Sequence, residues 1–158
     1  MLGRIGVHER ERSRVSFSHN GLHDALTRLA APPFFYENLR REIALVNRNG
    51  LDLTLIRLLL ESDAPLYDAT VISFADLISN AFRLEDSKAR LGTLEFAVLI
   101  QGNEVLASQL CERLTSRWAL EGTMDSTISY AHTKYIGGED AITFINRLDD
   151  QNLIKKNF

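Results

Sequence analysis

Apolar residues along this chain recur at two different periods, and each change of period marks an element. Phe35, Leu39, Ile43 and Val46 fall at helical spacing. Pro32 and Pro33 stand before them, where a missing N–H costs a helix nothing, and Gly50 follows at the position that ends helices. Leu51 to Leu60 is aliphatic nearly throughout and short, the pattern of a central strand buried on both faces. Asp63-Ala64-Pro65 makes a turn. Val71, Phe74, Ala75, Ile78 and Phe82 then predict a helix over 67–82. From Ala89 to Ile100 the sequence reads as two short strands joined by a tight turn at Gly92. Val105, Leu106, Leu110, Leu114 and Trp118 describe another amphipathic helix, ending near Gly122. Thr127 to Thr133 reads as a strand through Ile128 and Tyr130. Gly137 and Gly138 break the chain before a last helix, with Ile142, Ile145 and Leu148 along one face. This order, with an antiparallel hairpin at its middle, predicts an α+β sandwich with helices packed on a mainly antiparallel sheet.

Residues 1–20 are polar and arginine-rich and read as a leader or helical lead-in, with the folded domain over 21–158. A chain of 158 residues suits one domain with a sizeable core. The net charge of −3 gives a nucleic-acid partner no electrostatic support. The single cysteine, Cys111, has no disulfide partner and reads as a small buried apolar residue, which fits a reducing, cytoplasmic setting. No apolar run reaches the ~18 residues of a membrane span. Arg10, Arg12 and Arg14 interrupt any signal-peptide pattern. His8, His19, His23 and His132 show no metal-ligand spacing and read as surface or capping residues.

The hairpin carries a resemblance. Arg90-Leu91-Gly92-Thr93-Leu94-Glu95-Phe96 resembles the signature turn of the GGDEF family, the bacterial diguanylate cyclases. That turn runs Gly-Gly-Asp/Glu-Glu-Phe. His23-Asp24-Ala25-Leu26-Thr27-Arg28-Leu29 resembles the family's opening His-Asp-x-Leu-Thr-Gly-Leu, with Arg28 at the glycine. Thr127 to Ala131 is similar to its Ser-Ile-Gly strand. Residues 140–146 sit where the family has Ala-Leu-Tyr-x-Ala-Lys, with Asn146 placed at the lysine. The resemblance covers about Gly21 to Asn152 and implies a ferredoxin-like, polymerase-palm-like fold.

Its departures concentrate on chemistry. Active members join two GTP molecules, one per subunit of a dimer, into cyclic di-GMP. They hold Mg²⁺ with one carboxylate from the first strand and one from the third hairpin position, because a hard cation takes oxygen ligands. Alignment puts Leu59 and Leu94 there, and a leucine side chain ligates nothing. Glu61 and Glu95 are the acids that remain beside them. Thr93 stands at the second glycine, and the family's Phe-Lys-x-x-Asn-Asp stretch is shortened, since only Ser62 to Leu66 separate Glu61 from Tyr67-Asp68. The resemblance thus implies no catalytic residue, no metal site and no cofactor.

Arg83-Leu84-Glu85-Asp86 stands where many family members carry an Arg-x-x-Asp site for cyclic di-GMP. A guanidinium fork suits guanine or phosphate, and a carboxylate can accept from guanine donors. Arg90, with Arg113 or Arg117, would add positive charge. A solvated turn after a helix is the other reading of Arg83 and Asp86. The expected function is a catalytically inactive GGDEF domain that regulates, by binding cyclic di-GMP or a protein partner or neighbouring signalling domain. A ligand-free interaction or homodimerisation module and an active cyclase are the alternatives.

Overall fold

The computed structural model describes residues 15–121 and 126–155. Pro32 and Pro33 open helix α1, Pro32–Asn49, and Gly50 closes it in a left-handed conformation (φ +68°), its N–H donating to the Val46 carbonyl. Strand β1, Leu53–Ser62, follows, then helix α2, Asp68–Ala81. The hairpin is β2, Ser87–Arg90, and β3, Glu95–Gln101. Helix α3 spans Glu104–Glu121, β4 Ser126–Lys134 and α4 Ala141–Asp149. A two-residue strand β5, Ile154–Lys155, was not expected from the sequence. The predicted ends of the lead-in (1–14) and of α3 at Gly122 lie outside the described residues.

The sheet runs β2-β3-β1-β4-β5 with every pair antiparallel. β1 is central, and opposed residues share a face. Ile56, Leu58 and Leu60 face α2 and α3 together with Phe96, Val98, Ile100, Ile128 and Tyr130. Leu53 and Leu55 face α1 and α4 with Ala97, Leu99 and Ala131. This is the mixed α+β, palm-like sandwich that the sequence predicted, and the continuous apolar run of β1 is explained by helices on both sides.

The sequence reading needs three corrections. The stripe on α4 is Phe144 and Leu148, both buried, whereas Ile142 is 67% exposed. Of the predicted stripe, Leu148 is buried and Ile145 packs on the core, but Ile142, only two residues before Phe144, falls on the outer face. On α3, Val105 is exposed, and Ala107, Cys111, Leu114, Thr115 and Trp118 are the buried positions. A boundary between residues 20 and 21 cuts a packed segment, because Val15 is 4% exposed and belongs to the α2–α3 core. The end of this segment pairs with the hairpin. Ala30 forms a parallel bridge with Ala89: its N–H donates to the Lys88 carbonyl and its carbonyl accepts from the Arg90 N–H.

Candidate functional site: the signature hairpin and the end of β1

Register brings Leu59, Glu95 and Ser129 side by side on the α1–α4 face. Leu59 and Leu94 are half-buried, and Leu94 packs against the core while its carbonyl accepts from the Leu60 N–H. The two acids that remain each meet a cation of this chain. Glu61 accepts from Lys155 Nζ at 3.1 Å, and Arg57 Nε donates to Glu95 at 3.4 Å. A hydrogen bond from the Ser129 hydroxyl, then the Lys155 charge, holds the Glu61 carboxyl below its usual range. Among the described residues, no three His, Cys, Asp or Glu side chains gather as metal ligands.

The turn between the hairpin strands is held from inside. The Leu91 and Gly92 N–H groups both donate to the Glu95 carbonyl. Gly92 has no left-handed backbone, and a Cβ there would meet Glu95 Cβ at an ordinary 3.5 Å. Arg90 was expected to add charge to a ligand site, but it is wholly buried. Its guanidinium donates to the Thr93 carbonyl (2.8 Å) and to both Asp24 carboxylate oxygens (3.2 Å each). Asp24, equally buried, also accepts from the N–H and hydroxyl of Thr27. The opening motif and the signature hairpin are therefore one ion-paired unit. A buried pair leaves no charge for a ligand.

Arg83 and Asp86 do lie together, with Arg83 Nε 3.7 Å from the Asp86 carboxylate. Their orientations differ. The Arg83 side chain is half exposed, and its guanidinium donates to the Gln101 carbonyl. Asp86 turns inward, accepts from the Arg83 N–H and is 2% exposed at its side chain. Burial pushes its carboxyl up, against the pull of Arg83. Asp86 locks the turn, and Arg83 alone presents a surface. Arg117 is committed to Glu121 on its own helix.

Two features escaped the sequence reading. Arg57, Glu95, Tyr36 and Asp149 rim a cavity of about 80 Å³ floored by Phe35, Leu55, Ala97 and Leu148. Burial, then Glu95 and Asp149, pushes the Tyr36 phenol up, so its hydroxyl stays a donor. The signal was Arg57 itself, a lone charge in an aliphatic strand. Secondly, Phe144 fills the buried aromatic place of α4. Matching it to the tyrosine of Ala-Leu-Tyr-x-Ala-Lys puts Arg147, not Asn146, at the lysine. Arg147 is engaged with Glu139, the Thr133 hydroxyl and the Lys134 carbonyl.

No family profile matches the chain. Diguanylate cyclase DgcS of Shewanella oneidensis is 32% identical over 107 residues, 63% of this chain and 36% of the relative. The match thus spans about a third of that protein's length. The GGDEF domain of DgcB from Caulobacter crescentus, solved in complex with c-di-GMP, superposes with a TM-score of 0.73. It is 18% identical, over 85% of this chain and 86% of that one. A sensory box/GGDEF family protein from the same organism has a TM-score of 0.70 at 25% identity, over 80% of this chain and 92% of that one. Hairpin, opening motif, palm-like sheet and these likenesses agree, and the chain is similar in sequence and fold to the GGDEF domains of diguanylate cyclases.

Proposed function

We propose that this domain makes no cyclic di-GMP and serves as a regulatory GGDEF domain in cytoplasmic cyclic di-GMP signalling. The observation that carries the reading is that the two acids left near the hairpin are each engaged by a cation of this chain. By the resemblance Leu59 and Leu94 align with the family's metal ligands, and the neighbouring Glu61 and Glu95 pair with Lys155 and Arg57 respectively. A divalent cation would have to displace both internal cations and still find too few oxygen ligands. The five-residue connector between β1 and α2 (63–67) leaves no room for the family's longer loop there.

Regulation would act through cyclic di-GMP at Arg83, the half-exposed member of the Arg83/Asp86 pair, as a relative is known with that nucleotide bound. The inward turn of Asp86 favours a second reading, a ligand-free module that binds a protein, a neighbouring domain or a second copy. Calorimetric titration with cyclic di-GMP separates the two. Micromolar binding lost in Arg83→Ala supports the receptor, and no binding by the intact chain supports the interaction module. Turnover of GTP with Mg²⁺ or Mn²⁺, abolished by Glu95→Gln, would overturn inactivity. Leu59→Asp combined with Leu94→Asp is expected to restore no turnover, because the connector stays short.

A further inference from the structure

Three consecutive residues, Val15, Ser16 and Phe17, reach three different parts of the domain. Val15 is buried in the core between the sheet, α2 and α3. Ser16 donates its N–H to the Asp68 carboxylate at 2.7 Å, with its hydroxyl on the same group, at the first residue of α2. Phe17 lays its ring over the Arg90 guanidinium, 4.9 Å from Cζ to the ring centre. The Ser18 carbonyl then accepts from the Ala25 N–H, beside Asp24. Arg90 is the group that holds the Thr93 carbonyl and so the turn of the signature hairpin.

We propose that residues 15–18 form a strap that governs the signature turn through Phe17 and Arg90. The ring covers a guanidinium face that would otherwise meet water. Its cover keeps Arg90 in a low-dielectric setting, where the bonds to Asp24 and Thr93 are strong. Lifting the strap hydrates the guanidinium, weakens its hold on the Thr93 carbonyl and lets the turn open. The anchors on Val15 and Asp68 set how readily that happens. Displacement of the chain at Val15 is thereby read out at Leu91–Leu94, whether the domain acts as a receptor or an interaction module.

Amide hydrogen exchange on the full chain tests this. The Leu91 and Gly92 amides report the turn, and the Ile56 and Leu58 amides in central β1 report global opening. In Phe17→Ala, exchange at Leu91 and Gly92 is expected to rise about tenfold while Ile56 and Leu58 stay within about twofold. Phe17→Tyr, which keeps the ring, should match the unaltered chain. Ser16→Ala, which cuts only the Asp68 anchor, should move the same two amides in the same direction by less. Unchanged exchange at Leu91 and Gly92 in Phe17→Ala would overturn the proposal, and so would an equal rise at all four amides. Should Phe17→Ala not fold, Phe17→Val, whose side chain is too short to cover the guanidinium, is read in the same way; no rise at the turn in that variant would overturn it equally.

Discussion

Arg28 holds a backbone conformation that its own side chain makes costly. Its φ is +66°, and among the described residues it is the only non-glycine with positive φ. It stands where the opening motif that the sequence resembles has a glycine, the residue that takes this conformation without cost. Left-handed backbone costs a residue with a Cβ about 1–2 kcal/mol, partly offset by the greater freedom of glycine in the unfolded chain. Arg28→Gly is therefore expected to stabilise the domain by about 0.5–1 kcal/mol, seen as a raised Tm. Arg90→Leu should act in the opposite sense. It leaves the Asp24 carboxylate buried without its cation and frees the Thr93 carbonyl, a change that typically costs about 3–5 kcal/mol. Urea unfolding would read that loss directly.

At the scale of elements, most of the fold was legible because helix marks and strand composition agree here. Pro32, Gly50 and the aliphatic run of β1 all sit at positions that their chemistry dictates. The phase of α4 was not legible. Ile142, Ile145 and Leu148 form one plausible face and Phe144 with Leu148 another, and only contact with α1, β1 and β4 decides between them. Phe144→Ala should cost about 3–5 kcal/mol, and Ile142→Ala less than about 0.5 kcal/mol, by denaturant midpoint. The candidate site was half legible. Leu59 on the first strand and Leu94 in the hairpin could be read from the sequence as residues without metal-binding oxygens, since chemistry follows residue type. The cations on Glu61 and Glu95 could not, because Arg57 and Lys155 reach them across strands far apart in sequence. Burial of Arg90 and Asp86 was equally hidden, since a charged residue in a sequence normally signals surface.

The whole molecule should lose stability in acid, with a sign set by identifiable groups. The Arg147 guanidinium holds the Glu139 carboxyl below its usual value of 4.5, and Ser129 with Lys155 does the same for Glu61. Such lowered groups add stability above the unfolded value, and that stability is lost as pH falls through their folded values. Asp86, pushed up by burial, works the other way, taking up a proton more readily when folded. The urea midpoint is expected to fall below about pH 4.5, less steeply in Glu139→Gln and more steeply in Asp86→Asn. The Ala30–Ala89 bridge has a separate consequence, for solubility. A sheet edge with free N–H and C=O groups is a template for another chain. Ala30 takes up the Lys88 carbonyl and the Arg90 N–H, so the segment before α1 acts as a guard against intermolecular strand pairing. A chain shortened to start at Pro32 should bare that edge and show concentration-dependent association in sedimentation beyond that of the full chain, which makes the opening motif a protection against aggregation as well as a partner of the hairpin.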